Sequence, residues 1–209
     1  MREARVGELV AAVARQALAD RGVARVALVD DGSPEAELAA RFLERLGPGT
    51  ALRVSARDPR LEPLLHALGA VGAGERAARE AAGAAARLEP DALPAGPENR
   101  TALLLGGALP AEPFFPLGDL YASQVAELSG GWSAPVEVRA LAEAAGGVER
   151  LDAALHGWLD RRDPAALDAL PAGAAEEARR LFARGRASRL AVRLVPKLGH
   201  RTLGVDLFE

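Results

Sequence analysis

The sequence predicts an α/β fold with a parallel sheet and a helical C-terminal portion. Two short runs rich in β-forming residues, 23–29 and 51–56, flank a helical pattern, and beyond Leu120 only helical patterns occur. A strand, a helix and a second strand within about 35 residues make a βαβ unit, whose strands run parallel with a right-handed crossover. A chain of 209 residues suits a single domain, divided here into an α/β core over 1–118 and a helical portion with a tail over 119–209.

Each element follows from local chemistry. Residues 3–21 place Val6, Leu9, Val10, Val13, Ala17 and Leu18 on one helical face, and Gly22 stops the helix. The run 23–29 is a buried strand. Asp30-Asp31-Gly32-Ser33-Pro34-Glu35 is a turn with helix-start chemistry: Ser33 as N-cap, Pro34 at the first helical position, acids in the first turn. The helix runs to about Leu46, ended by Gly47-Pro48-Gly49, and 51–56 is the second strand. Residues 61–68 and 75–88 read as helices, the second so alanine-rich that it must lie flat on the sheet or stand exposed. Residues 91–97 read as a connection broken by Pro and Gly, and 101–106 fits either a strand or a buried helical turn. Helices are expected over 119–129, 135–145, 148–160, 164–170 and 174–187, followed by an irregular tail from 190.

Composition excludes several chemistries. With no cysteine there is no disulfide, no thiolate metal site and no cysteine nucleophile. A net charge of −3 excludes a generally basic nucleic-acid binder. The stretch 101–118 is broken by Pro110, Pro113 and Pro116, so no membrane span is expected. MREARVGELV carries charges where an export signal needs an apolar core, so a cytoplasmic location is expected. There are 25 Arg to a single Lys, Lys197, and no Ile, a bias that fits a GC-rich genome or life at high temperature.

In open α/β sheets ligands bind beyond the C-terminal ends of the strands, which here lead into 30–35, 56–60 and 96–101. At the third of these, Asn99-Arg100-Thr101-Ala102-Leu103-Leu104-Leu105-Gly106, followed by Phe115-Pro116-Leu117-Gly118-Asp119-Leu120-Tyr121-Ala122-Ser123-Gln124-Val125, resembles the ammonia-dependent NAD synthetases. Those enzymes carry segments like NRSELLLGYFT and APLGDLYKTQV. The tail segment from Val195 to Asp206 is also similar to the end of some members. The resemblance implies a doubly wound parallel sheet, Rossmann-like and of the adenine nucleotide alpha-hydrolase type. It also implies a homodimer, a nucleotide ligand, and adenylation of deamido-NAD with ATP and Mg²⁺ before ammonia attack. Gly32, Asn99, Arg100 and Thr101 then stand at the cofactor-binding positions, with Asp119 capping the next helix and Tyr121 at the dimer contact.

The departures fall on the catalytic parts. The family's Ser-Gly-Gly-x-Asp-Ser loop presents amides to pyrophosphate and an Asp to Mg²⁺. Here it reads Asp30-Asp31-Gly32-Ser33-Pro34-Glu35, with only the glycine kept. Two carboxylates occupy the oxyanion's place, repelling each other by about 1–4 kcal/mol. Pro34 stands at the metal-binding Asp, and Ala102 stands at a second metal-ligand position. The Tyr-Gly-Asp-Gly segment, the substrate-closing loop and a basic His-Lys-Arg cluster are missing. No catalytic residue and no metal ligand is therefore assigned. The expected function is an NAD synthetase-like pseudoenzyme acting as a binding or scaffold subunit. The alternatives are an active synthetase with metal ligands moved to Asp30, Asp31 or Glu98, and a partner-binding module using the apolar 103–117 stretch.

Other signals have plainer readings. Asp30, Asp31 and Glu35 could hold a divalent cation but read first as a solvated acidic turn. Asn99 and Thr101 could cap the next segment instead of touching a nucleotide. His156 and Asp160 lie four apart beside Trp158 and read as a surface hydrogen bond; His66 and His200 have no evident partner. Arg179, Arg180, Arg184, Arg186, Arg189 and Arg193 form the one basic cluster, read as a solvated face.

Overall fold

The computed structural model describes residues 2–55, 63, 75–106 and 114–185. Helix α1 (Arg2–Arg21) leads to β1 (Arg25–Asp30), α2 (Pro34–Leu43), a 3-10 turn (Glu44–Leu46) and β2 (Ala51–Ser55). Next come α3 (Glu75–Leu88), β3 (Ala92–Ala95) and α4 (Arg100–Leu105). The rest is helical: α5 (Ala122–Ser129), α6 (Val136–Ala144), α7 (Val148–Leu155), a π-helical turn (His156–Asp160), a 3-10 turn (Pro164–Ala169) and α8 (Ala172–Arg184).

The described strands form one parallel sheet in the order β2-β1-β3. Successive residues of β1 point to opposite faces, and both faces are covered. Val26 and Leu28 meet Val10, Leu38 and Phe42 of α1 and α2. On the other side Ala27 and Val29 meet Val54 with Ala82 and Ala86 of α3. Alanine on the inward stripe lets α3 lie flat on the sheet, one of the two placements its composition allowed.

Residues 91–97 differ from the expected connection, because Ala92–Ala95 is a strand pairing with β1. Pro94 argued against a strand, since proline cannot donate to a ladder. It is tolerated because β3 is short and flanks β1 at one side of the described sheet. Past it, Ala95 makes a parallel bridge with Phe114, and Gly96 N–H donates to Phe114 O at 2.9 Å. Of the two readings of 101–106, the helical one is observed. It is capped by Asn99, whose side chain accepts from Ala102 N–H at 3.0 Å. The expected helix over 61–68 and the tail lie outside the described residues.

The C-terminal helices close over their own core, where Leu104 and Leu105 of α4 meet Leu141, Leu151, Leu155 and Leu181. Thus α4 joins the sheet half to the helical half. Among the described residues no helix is long and apolar enough to cross a membrane.

Candidate functional site

The loops leaving β1 and β3 flank the crevice where a parallel sheet offers its ligand site. In the first loop Gly32 takes a φ of +77°, a backbone geometry suited to glycine. The amides around it are already engaged. Gly32 N–H donates to Asp30 Oδ1 at 3.1 Å, Ser33 N–H to Asp31 Oδ1 at 3.0 Å, and Ala36 N–H to Ser33 Oγ at 3.1 Å. Asp30 is also held by Arg53, whose NH2 lies 2.9 Å from it and 2.9 Å from Glu37. Arg53 softens the expected repulsion between the two aspartates. The loop still has few amides left for a phosphate, because its own carboxylates use them.

Glu35 does not join Asp30 and Asp31. It turns inward and is 3% exposed. Its carboxylate accepts from Asn99 Nδ2 at 2.9 Å, from Ser133 N–H at 2.9 and 3.0 Å, and from Ser133 Oγ at 2.8 Å. Burial pushes its pKa above the ordinary carboxylate range, although these bonds pull it back.

Arg100 and Thr101 face away from that crevice. The Arg100 guanidinium pairs with Asp119 at 2.9 Å and with Asp160, and lies 4.9 Å above the centre of the Tyr121 ring. Asp160 also accepts from Tyr121 OH at 3.0 Å and faces His156 Nδ1 at 2.6 Å. Burial raises the Tyr121 pKa, keeping the hydroxyl a donor. Thr101 Oγ1 donates to Asp152 at 2.6 Å and accepts from Ala122 N–H at 3.0 Å. The other Asp152 oxygen accepts from Ser123 N–H at 2.7 Å, and Tyr121 N–H donates to Gln124 at 2.9 Å. Helix α5 therefore has its first amides capped from α4, α7 and its own first turn. Asp152 is 4% exposed, and burial raises its pKa.

These contacts correct several expectations. Asp119 does not cap α5; it neutralises Arg100, while Thr101 and Asp152 do the capping. Tyr121 is buried inside this chain rather than presented to a second copy. Asp160 is more than half of a surface hydrogen bond, since its carboxylate joins α4, Tyr121 and the π-helical turn. Asn99 is 1% exposed, Arg100 3% and Thr101 fully buried; their side-chain polar atoms bond within the fold except the Arg100 Nε, which is buried without a hydrogen-bond partner. In the 103–117 stretch, Leu104, Leu105, Phe114, Phe115 and Leu117 are fully buried in this chain's own core, while residues 107–113 lie outside the described residues. The described arginines of the basic cluster are paired: Arg179 with Asp168, Arg180 with Glu177 and Arg184 with Glu137. The other three, His66 and His200 lie outside the described residues.

The residues do not fit the ATP and Mg²⁺ that the resemblance implies. The Gly32, Ser33 and Ala36 amides are occupied, Ala102 has no ligating side-chain atom, and among the described residues no group of three His, Cys, Asp or Glu side chains is placed to hold a metal ion. Sequence reasoning missed Asp152 and Ser133. Asp152 carried a signal, since it sits on the stripe of Val148, Leu151 and Leu155 that packs inward. Ser133 carried none, because its partner lies 98 residues away. No protein-family model matches the chain, and no curated protein matches it.

Proposed function

We propose that this chain is an NAD synthetase-like protein that has lost the ATP-dependent amidation and acts as a binding or scaffold subunit. In this reading the sheet is doubly wound and Rossmann-like, of the adenine nucleotide alpha-hydrolase type, and the chain works as a cytoplasmic homodimer. The central position of β1, its parallel neighbours and the helices on both faces support the fold. One observation carries the loss of activity: the carboxylates of Asp30 and Asp31 take the amides of the loop after β1. A triphosphate entering there would have to displace two intramolecular anions and stand beside them. That substitution is unfavourable in both donors and charge.

The test is a steady-state assay with deamido-NAD, ATP, Mg²⁺ and ammonia, joined to calorimetric titration with ATP, deamido-NAD and NAD. No turnover is expected. Turnover on the order of 1 s⁻¹, within the ordinary enzyme range, would overturn the reading. Sedimentation should find a dimer.

A further inference from the structure

The segment after α5 lays a serine hydroxyl against a buried carboxylate in the first turn of α2. Gly130 takes a φ of +78°, which lets the chain turn sharply out of α5. Gly131, without a side chain, passes close to Pro34, where an added Cβ would stand 3.4 Å from the proline ring. Ser133 thereby meets Glu35 at the crevice between the loops that follow β1 and β3, where open α/β sheets take their ligands.

The arrangement is that of a nucleophile and its base. Ser133 Oγ donates to Glu35 Oε2 at 2.8 Å, and the Ser133 N–H donates to the two carboxylate oxygens at 2.9 and 3.0 Å. Asn99 Nδ2 donates to Oε1 at 2.9 Å, so a third group fixes the base. Glu35 is 3% exposed while Ser133 is only half-buried, so the base is shielded and the serine stands at the edge. Burial raises the Glu35 pKa, which makes it a stronger base than a solvated carboxylate.

The charges around the pair favour an uncharged substrate. Asp31 at the turn, Glu98 before Asn99 and Glu127 on α5 share the sign of Glu35. The nearby arginines are paired: Arg53 with Asp30 and Glu37, Arg41 with Glu3, and Arg100 with Asp119 and Asp160. An anion entering here would meet carboxylates whose counter-charges are already taken.

We propose that Ser133 and Glu35 form a nucleophile–base pair that takes the acyl group of small uncharged carboxylic esters. Ser133 Oγ attacks the carbonyl carbon while its proton passes to Glu35. The bond to the alcohol oxygen breaks, the alcohol leaves with that proton, and an acyl ester remains on Ser133. Water, giving its proton to Glu35, then releases the carboxylic acid and restores the serine. The Gly32, Ser33 and Ser133 amides are held by carboxylates, so none of the three serves the oxyanion, and hydrolysis of the acyl ester is slow. The inference rests on the fold alone and stands whether or not the chain descends from a ligase.

The test is p-nitrophenyl acetate with the whole protein. Its good leaving group makes acylation outrun hydrolysis, so a burst of one p-nitrophenolate per chain is expected, with the acetyl group found on Ser133 by peptide mass spectrometry. Ser133→Ala should remove the burst. Glu35→Gln, which keeps the shape without the base, should slow acetylation of Ser133 by on the order of 100-fold. In the wild type that rate should fall as pH drops through the raised Glu35 pKa and level off above it. No acetyl group on Ser133, equal rates in wild type and Glu35→Gln, or a rate that climbs with hydroxide at every pH overturns the proposal. Should Glu35→Gln fail to fold, the wild-type pH profile decides. Turnover of deamido-NAD bears on the ligase reading alone.

Discussion

At the turn after β1, charged side chains satisfy backbone amides at the protein surface, and Asp31 stays exposed. Around α4, charged side chains satisfy one another in the interior, where the Arg100 side chain is 4% exposed and that of Asp160 is 11% exposed. The first arrangement is mostly local: its amide bonds span two or three residues, and among the described residues Arg53 of β2 alone ties Asp30 and Glu37 to a neighbouring strand. The second joins α4, the 114–121 segment, α7 and the π-helical turn. The residues that carry the family resemblance, Asn99-Arg100-Thr101 and Asp119-Leu120-Tyr121, fall in the second region. They are architecture here. The turn, where the resemblance fails, is where the family's reaction would need donors.

That contrast sets the scale of each substitution. Arg100→Ala should be the most damaging, at about 3–5 kcal/mol in urea unfolding, because it leaves Asp119 and Asp160 buried without their cation. A loss below about 1 kcal/mol would mean that water reaches these carboxylates, and the contrast would collapse. Asp152→Ala removes the acceptor of Thr101 and Ser123 and should lower stability by about 1–3 kcal/mol.

Asp152→Ala also has a pH signature. The folded-state pKa of Asp152 is raised, so the folded protein holds its proton to higher pH than the unfolded chain does. Stability from this group is therefore greatest at acid pH and falls as pH rises from the ordinary carboxylate value through the raised one. The variant should lack that falling limb in stability measured against pH. A curve parallel to wild type would show that Asp152 does not titrate as described.

Gly96→Ala should cost about 1–3 kcal/mol through overpacking, since an added Cβ would stand 2.6 Å from the buried Phe115 ring. A neutral result in thermal unfolding would show that the loop after β3 can shift. At the turn the effects shrink. Ser33→Ala loses the α2 cap, about 1 kcal/mol. Asp31→Ala, at an exposed position, should change stability by less than about 1 kcal/mol.

Much of the fold was legible in the sequence because its signals are local. The apolar stripe of α1, the Ser33-Pro34 helix start and the two strand runs each depend on neighbours within a few residues. The third strand was not, because Pro94 conceals it and only pairing with β1 makes it a strand. The candidate site divides the same way. The acid-filled turn follows from Asp30-Asp31 alone, whereas Glu35 meets Ser133 and Thr101 meets Asp152 only once the helical half has folded back. Hydrogen bonds between distant polar residues leave no periodic trace, so residue type flags candidates without naming their partners.

The π-helical turn sets a limit on how this chain can change. Over His156–Asp160 the backbone closes a wider ring, with Arg161 N–H donating to His156 O at 3.2 Å. Removing one residue there would restore an ordinary helix, but it would swing everything downstream by about 100° about the axis. The aspartate that meets Arg100 would then point elsewhere. The spacing from Leu155 to Arg161 is therefore a fixed length, at which a deletion would be felt at Arg100 and Tyr121, distant in sequence but in contact with the turn.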